Sequence, residues 1–179
     1  PLTVGGGIAT LEDIEQVMEV GAHKISINSA AIKNPNFIEA AAKHCGSLRV
    51  ILSMDVKRVD DVYRVFARGG RENTGIDALE WAVMGQELGA GELVVNSIDT
   101  DGVKKGFDIE MLRAIADRVS IPITASGGAG KKEHFLEVFQ YTGIEAGLAA
   151  SIFHYKEVDI RELKLFLRDQ GIDVYMGRQ

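Results

Sequence analysis

The chain has 179 residues, 46% of them hydrophobic, and a formal net charge of −6, enough to bury one substantial core and without the clustered cations that nucleic-acid binding requires. Cys45 is the only cysteine and the four histidines lack HxxxH spacing, which excludes a disulfide framework and argues against a zinc site, so no metal or other cofactor is expected. No apolar run nears the roughly 18 residues of a membrane span and no leader pattern is seen, so a reducing cytoplasm is the expected setting.

In chain order, short apolar runs alternate with helical periods, the pattern of consecutive βα units around a parallel sheet. Leu2–Gly5 predicts a first strand running into Gly6-Gly7, and Thr10 ahead of Leu11-Glu12-Asp13 starts a helix with the stripe Leu11, Ile14, Val17 and Met18. Lys24–Ile27 predicts a second strand, followed by Asn28-Ser29, and Asn34-Pro35 starts the next helix. Val50–Asp55 reads as a third strand. Beyond it Val62–Ala67 alternates apolar and polar residues before Gly69-Gly70, which suggests a small strand or hairpin on a long loop. Leu79, Trp81, Ala82 and Met84 mark a helix, Leu93–Ser97 a strand, and Met111, Leu112, Ile115 and Val119 another helix. Ile123–Ser126 and Gly147–Ala150 bring the count of strands to six.

An internal repeat organises these elements. Pro1–Glu12 aligns with Pro122–Glu133 and Val17 with Val138; after a one-residue slip Gly21 meets Gly143 and Ser29 meets Ser151. The period is about half of a (β/α)₈ barrel of roughly 250 residues. The expected fold is therefore an α/β TIM barrel of phosphate-binding type, a single domain present as about six of eight units. Residues 1–45 would be units three and four, 46–121 units five and six, and 122–179 units seven and eight. Units one and two, on the order of 75 residues by this count, are expected to be absent from the sequence.

The repeat also repeats a chemistry. Gly5-Gly6-Gly7 and Ser126-Gly127-Gly128 each follow a strand and precede a helix, where backbone N–H groups approach an anion unhindered by a Cβ. Each recurs with a small polar segment one strand later, Asn28-Ser29 and Ala150-Ser151. Two such cradles imply a ligand with a phosphate at each end. Asp55 closes an apolar strand at the end where barrel active sites sit, and is read either as a proton-transfer carboxylate or as a strand-end cap paired with Lys57 or Arg58. Asp99, Asp101 and Gly102 follow the next strand, as catalytic-mouth residues or as an Asp-Gly turn. Gly69–Gly75 is expected to be a substrate-covering loop. His44 and His134 are expected at exposed helix positions, and His154 in a structural role.

With Gly5-Gly-Gly-Ile, Ser26-Ile-Asn-Ser-Ala-Ala31, Met54-Asp-Val-Lys-Arg58, Gly69-Gly-Arg with Thr74-Gly75, Ser97-Ile-Asp-Thr-Asp-Gly102, Ala125-Ser-Gly-Gly-Ala-Gly130 and Leu148-Ala-Ala-Ser-Ile-Phe-His154, the chain resembles the cyclase subunit of imidazole glycerol phosphate synthase throughout its length. The resemblance implies a lyase of histidine biosynthesis. Ammonia and phosphoribulosyl-formimino-aminoimidazole carboxamide ribotide would give imidazole glycerol phosphate and aminoimidazole carboxamide ribotide. It implies two aspartates as general acid and base, of which Asp55 matches one and the other falls in a segment not present in the sequence, so impaired turnover is expected. Asp101 matches a further aspartate near the substrate. Gly7, Asn28 and Ser29 match one phosphate site, and Gly102, Gly128, Ala150 and Ser151 the other. A glutaminase partner would dock on the opposite face of the barrel and deliver ammonia past Lys24 and Glu92, which are otherwise read as an ordinary surface ion pair. His23 and Leu48 depart from the Asp and Gln often found at that face. The alternatives are the sister isomerase of the same pathway and a non-catalytic fragment that self-associates through open sheet edges.

Overall fold

A computed structural model describes residues 1–177. Six parallel strands form one sheet in the order β1 (Thr3–Gly5), β2 (Lys24–Ile27), β3 (Val50–Val59), β6 (Glu92–Ser97), β7 (Ile123–Ser126) and β8 (Ala146–Leu148). Between β3 and β6, β4 (Val62–Ala67) pairs antiparallel with β3, and β5 (Glu72–Asp77) antiparallel with β4. The intervening helices are α1 (Leu11–Glu19), α2 (Ser29–Lys33), α3 (Asn36–Cys45), α4 (Ala78–Glu87), α5 (Ile109–Ala116), α6 (Lys132–Thr142), α7 (Ser151–His154) and α8 (Ile160–Asp169). This is the βα alternation of a partial TIM barrel, with β1 and β8 at the two ends of the sheet.

Strand periodicity decides which side chains pack and which stay free for chemistry. Ile25 and Ile27 on β2, Leu52, Met54 and Val56 on β3, Leu93 and Val95 on β6, and Ile123 and Ala125 on β7 are buried in the core. Each fully buried large aliphatic side chain contributes roughly 1.5–3 kcal/mol. Their alternates, Lys24 and Ser26, Ser53 and Asp55, Glu92, Val94 and Asn96, and Thr124 and Ser126, are only half-buried and share the concave inner face. Helices close the other side. Trp81 of α4 is 2% exposed, and Gly85 one turn on leaves room for the Leu52 side chain, which a Cβ there would strike. Phe135 of α6 packs edge-on against Phe107 at 5.3 Å between ring centres. No helix among the described residues is long and apolar enough to cross a membrane.

The repeat is present in the fold at the level of hydrogen-bond register. The ladder pairs Thr3↔Lys24, Val4↔Ile25 and Gly5↔Ser26 correspond one for one, under the sequence alignment, to Thr124↔Ala146, Ala125↔Gly147 and Ser126↔Leu148. Helices α1 and α6 match likewise, and α2 matches α7.

Several element ends differ from the sequence reading. Strand β3 continues past Asp55 to Val59 because its extension pairs with β4 from Asp55↔Phe66 to Val59↔Val62. The expected covering loop over Gly69–Gly75 is largely β5, whose Thr74 hydroxyl donates to the Val65 carbonyl at 2.7 Å. Strand β8 ends at Leu148, leaving Ala149 and Ala150 beyond it. Val119 lies past the end of α5. Asn34 closes α2 instead of starting α3, which begins at Asn36. The Thr10 start holds: its Oγ1 accepts the Asp13 N–H at 3.1 Å, and Asp13 accepts the Ala9 and Thr10 N–H groups at 2.9 and 2.8 Å. Those bonds, the Ala9 one foremost, hold the Asp13 carboxyl below its ordinary value.

Candidate functional site

Two pockets open at the C-terminal ends of the strands. The first, about 510 Å³, is lined by Gly5–Gly7, Ser26 and Ile27, Asn28–Ala30 and Lys33. The second, about 460 Å³, is lined by Asp101, Gly102, Ser126–Ala129 and Leu148–Ser151. Each is assembled from a strand-end glycine loop and the small polar segment of the neighbouring strand. Gly7, Asn28 and Ser29 thus meet in one pocket, and Gly102, Gly128, Ala150 and Ser151 in the other. Gly6 and Gly7 take φ of +90° and +78°, a region that favours glycine, and a Cβ on either would meet nothing within 4 Å.

Ser53 and Asp55 line both pockets, so the Asp55 carboxylate stands at the junction of the two. Its oxygens are held from opposite sides. Asn28 Nδ2 donates to Oδ2 at 3.1 Å and Asn96 Nδ2 to Oδ1 at 3.1 Å, while Ser126 Oγ donates to Asn96 Oδ1 at 3.1 Å. Register creates this row, because Asp55 pairs with Asn96 and Asn96 with Ser126 across β3, β6 and β7, putting three side chains side by side on one face. The reading of Asp55 as a cap or a partner of Lys57 or Arg58 gives way to a carboxylate fixed in mid-strand by two amides. Asn28, matched by sequence to a phosphate site, both lines the first pocket and donates to Asp55, and its Oδ1 is buried without a protein partner.

Asp99, unlike Asp101, is not in either pocket. It accepts the Arg58 N–H at 2.8 Å and joins a shallow outer depression with Arg58, Tyr63 and Asp108. The walls of the second pocket are braced by its neighbours: Gly106 N–H donates to the Gly128 carbonyl at 2.9 Å, and Thr100 Oγ1 to the Gly127 carbonyl at 3.1 Å. His134, expected at an exposed position, is 6% exposed. Its Nδ1 accepts the Gly130 N–H at 3.0 Å, and its ring lies beside Gly106. Burial foremost pushes its pKa down, so the imidazole is neutral and free to accept. His44 is exposed, as expected, beside Glu15 at 3.3 Å, and His154 is exposed against Tyr155.

Asn96, Ser53 and Lys33 are site residues that the sequence reading did not single out. Only alternation could have signalled the first two, since each falls on the inner-face phase of its strand.

At the opposite end of the strands, Lys24 Nζ lies 2.6 Å from Glu92 Oε2, and Thr124 Oγ1 donates to Glu92 Oε1 at 2.9 Å. The pair sits four residues below the row of Asp55 and Asn96, about 13 Å along the strands. Leu2 and Leu48 flank that end of the sheet, 54% and 80% exposed.

The sequence model of a family described as histidine biosynthesis protein matches residues 1–159. The imidazole glycerol phosphate synthase subunit HisF of Hydrogenobaculum sp. (strain Y04AAS1) is 51% identical over 175 residues, covering 97% of this chain and 69% of that protein. The protein of the same name from Pyrococcus furiosus (strain ATCC 43587 / DSM 3638 / JCM 8422 / Vc1) is 52% identical over 174 residues, with the same coverage of each.

Proposed function

Because the chain belongs to the HisF family of histidine biosynthesis proteins, we propose that it carries out the ammonia-dependent cyclase reaction of imidazole glycerol phosphate synthase. The ligand is phosphoribulosyl-formimino-aminoimidazole carboxamide ribotide, with one phosphate in each pocket. The observation that carries this reading is the place of Asp55, which lines both pockets and is the only carboxylate common to the two.

Anchoring both ends of such a ligand suspends its reacting middle over Asp55, converting an encounter into a positioned reaction. Addition of ammonia, ring closure and elimination each move a proton, and a carboxylate held at a fixed angle by Asn28 and Asn96 is placed to accept and return one. Asp101, on the rim of the second pocket, brings a further carboxylate to the substrate. Backbone N–H groups of Gly6–Gly7 and Gly127–Gly128, with the Ser29 and Ser151 hydroxyls, would bind the phosphates.

In this reading a glutaminase docks on the face bearing Leu2, Leu48, Lys24 and Glu92. Ammonia passes the Lys24–Glu92 pair and follows the hydroxyls of Thr124, Ser126, Ser53 and Ser26 along the inner face to Asp55. What supports the route is the alternation that puts these hydroxyls on one face.

The decisive experiment is calorimetric titration of the folded chain with the diphosphorylated ribotide, followed by an assay for imidazole glycerol phosphate with ammonium ion as nitrogen donor. Binding that competes with inorganic phosphate, and slow product formation that Asp55→Asn lowers by about two orders of magnitude or more, are expected. A folded protein that fails to bind the ribotide would refute the proposal.

A further inference from the structure

The two pockets have the same backbone plan but different charge, and the difference comes from two residues, Lys33 in the first and Asp101 in the second. Lys33 lines the first pocket, whose other charged lining residue is Asp55. The second pocket is lined by Asp55 and Asp101 and, among the described residues, by no cation. Lys104, on the loop beside the second pocket, is held by both carboxylate oxygens of Glu157 at 2.6 and 2.7 Å. Lys33 takes part in no ion pair among the described residues and is exposed.

Helix geometry aims Lys33 at the ligand. Ser29 and Lys33 are four residues apart on α2 and so lie on one face, and helical side chains lean toward the helix N-terminus. A lysine stem therefore reaches back over the turn that carries the Ser29 hydroxyl. The repeat provides the internal control. Ser29 aligns with Ser151, which sets Lys33 against Tyr155, and Tyr155 is 69% exposed, rests against His154 and does not line the second pocket. At this position the pseudo-symmetry of the two cradles is broken.

We propose that Lys33 makes the pocket between β1 and α2 the stronger and more salt-sensitive of the two anion sites, so that a doubly phosphorylated ligand docks there first. This rests on the reading of both pockets as phosphate cradles. A mobile ammonium attracts an approaching phosphate over a Debye length of about 8–10 Å at ordinary ionic strength, whereas backbone N–H groups act only on contact. The second pocket, with two carboxylates in its lining, engages its phosphate once the first end is tethered and the local concentration is high.

The test is titration of the full chain with inorganic phosphate at low and at high sodium chloride, followed by ¹H–¹⁵N spectra. The Gly6 and Gly7 amides report the first cradle, and Gly127 and Gly128 the second. In the wild type the first pair should respond at the lower phosphate concentration and lose more affinity to salt. Lys33→Met should weaken the first cradle about fivefold, remove its extra salt sensitivity and leave the second unchanged, and Lys33→Arg should restore it. Equal midpoints in the wild type, no effect of Lys33→Met, or an equal effect on both cradles would each overturn the inference while leaving the cradles in place. Silence of both glycine pairs would overturn it together with the phosphate reading itself.

Discussion

Gly7 and Gly128 occupy matching positions in the repeat, and replacing each by alanine should have different consequences. Gly7 has φ of +78° and a Cβ there meets nothing within 4 Å, so Gly7→Ala carries only the backbone cost of a left-handed residue. That cost is about 1–2 kcal/mol, partly offset by the roughly 0.4–1 kcal/mol gained from a stiffer unfolded chain, for a net loss of about 1 kcal/mol. Gly128, at φ +104°, carries the same strain, but its Cβ would overlap the Gly106 carbonyl and lie 2.9 Å from Thr100 Cβ. Both neighbours belong to the loop that braces the second pocket, and forcing them apart adds about 1–3 kcal/mol, for a total near 3 kcal/mol. Trp81, the single tryptophan and almost fully buried, reports global unfolding in a urea titration followed by fluorescence. The same samples should show phosphate binding weakened by Gly7→Ala despite a native-like fold, because the new methyl stands in the space that the first cradle leaves open. Equal losses of stability, or Gly7→Ala binding phosphate as the wild type does, would refute the assignment of these glycines to different structural duties.

Asp55→Asn should lower ammonia-dependent turnover by about two to four orders of magnitude with little change in ribotide affinity, measured as separate kcat and KM. Acid should act through His134, whose folded pKa is lowered by burial. Below its ordinary value of about 6.5 the unfolded chain binds a proton that the folded chain refuses. The contribution is complete above that pH and is lost as pH falls toward the folded value. Urea midpoints measured across this range should decline less steeply in His134→Asn, which keeps an acceptor for the Gly130 N–H but does not titrate; Lys131, Glu133 and Glu137 also act on this imidazole. Lys24→Met leaves the Glu92 carboxylate, 17% exposed, with only Thr124, and should cost about 1 kcal/mol in a denaturant titration, an effect absent from the Glu92→Gln background.

The parallel strands and most helices were legible because each depends on local periodicity, as at Lys24–Ile27 and Ile123–Ser126. The glycine loops that line the two pockets were legible for a related reason: a glycine loop after a strand is itself a local signal, and the repeat at Pro122 doubled it. What escaped was set by pairing between distant segments. Nothing near Asn96 states that it donates to Asp55, since that bond follows from the β3–β6 register between residues 41 positions apart. His134 was expected to be exposed because it lies on a helix, α6, with Lys132 and Glu133 beside it. Gly106, from the loop between β6 and α5, lies against the ring, while Gly130 of the turn before α6 donates to it.

The repeat keeps register while side chains diverge, and the divergence is where the chemistry lies. Thr3 and Thr124 keep a hydroxyl at matched ladder positions, but Lys24 is set against Ala146, Ser26 against Leu148 and Lys33 against Tyr155. The features proposed to grip an anion without selectivity, glycine φ angles and strand-end N–H groups, are shared by both halves. The features that distinguish one end of a ligand from the other are in side chains. A substrate with two phosphates but unlike ends needs a frame of this kind. An identical pair of cradles would accept it in either direction, and Asp55 would face the wrong atoms in half of the encounters. In the proposed reading, charge at Lys33 and Asp101, one on each side of Asp55, would give the site a direction that the symmetric backbone alone lacks.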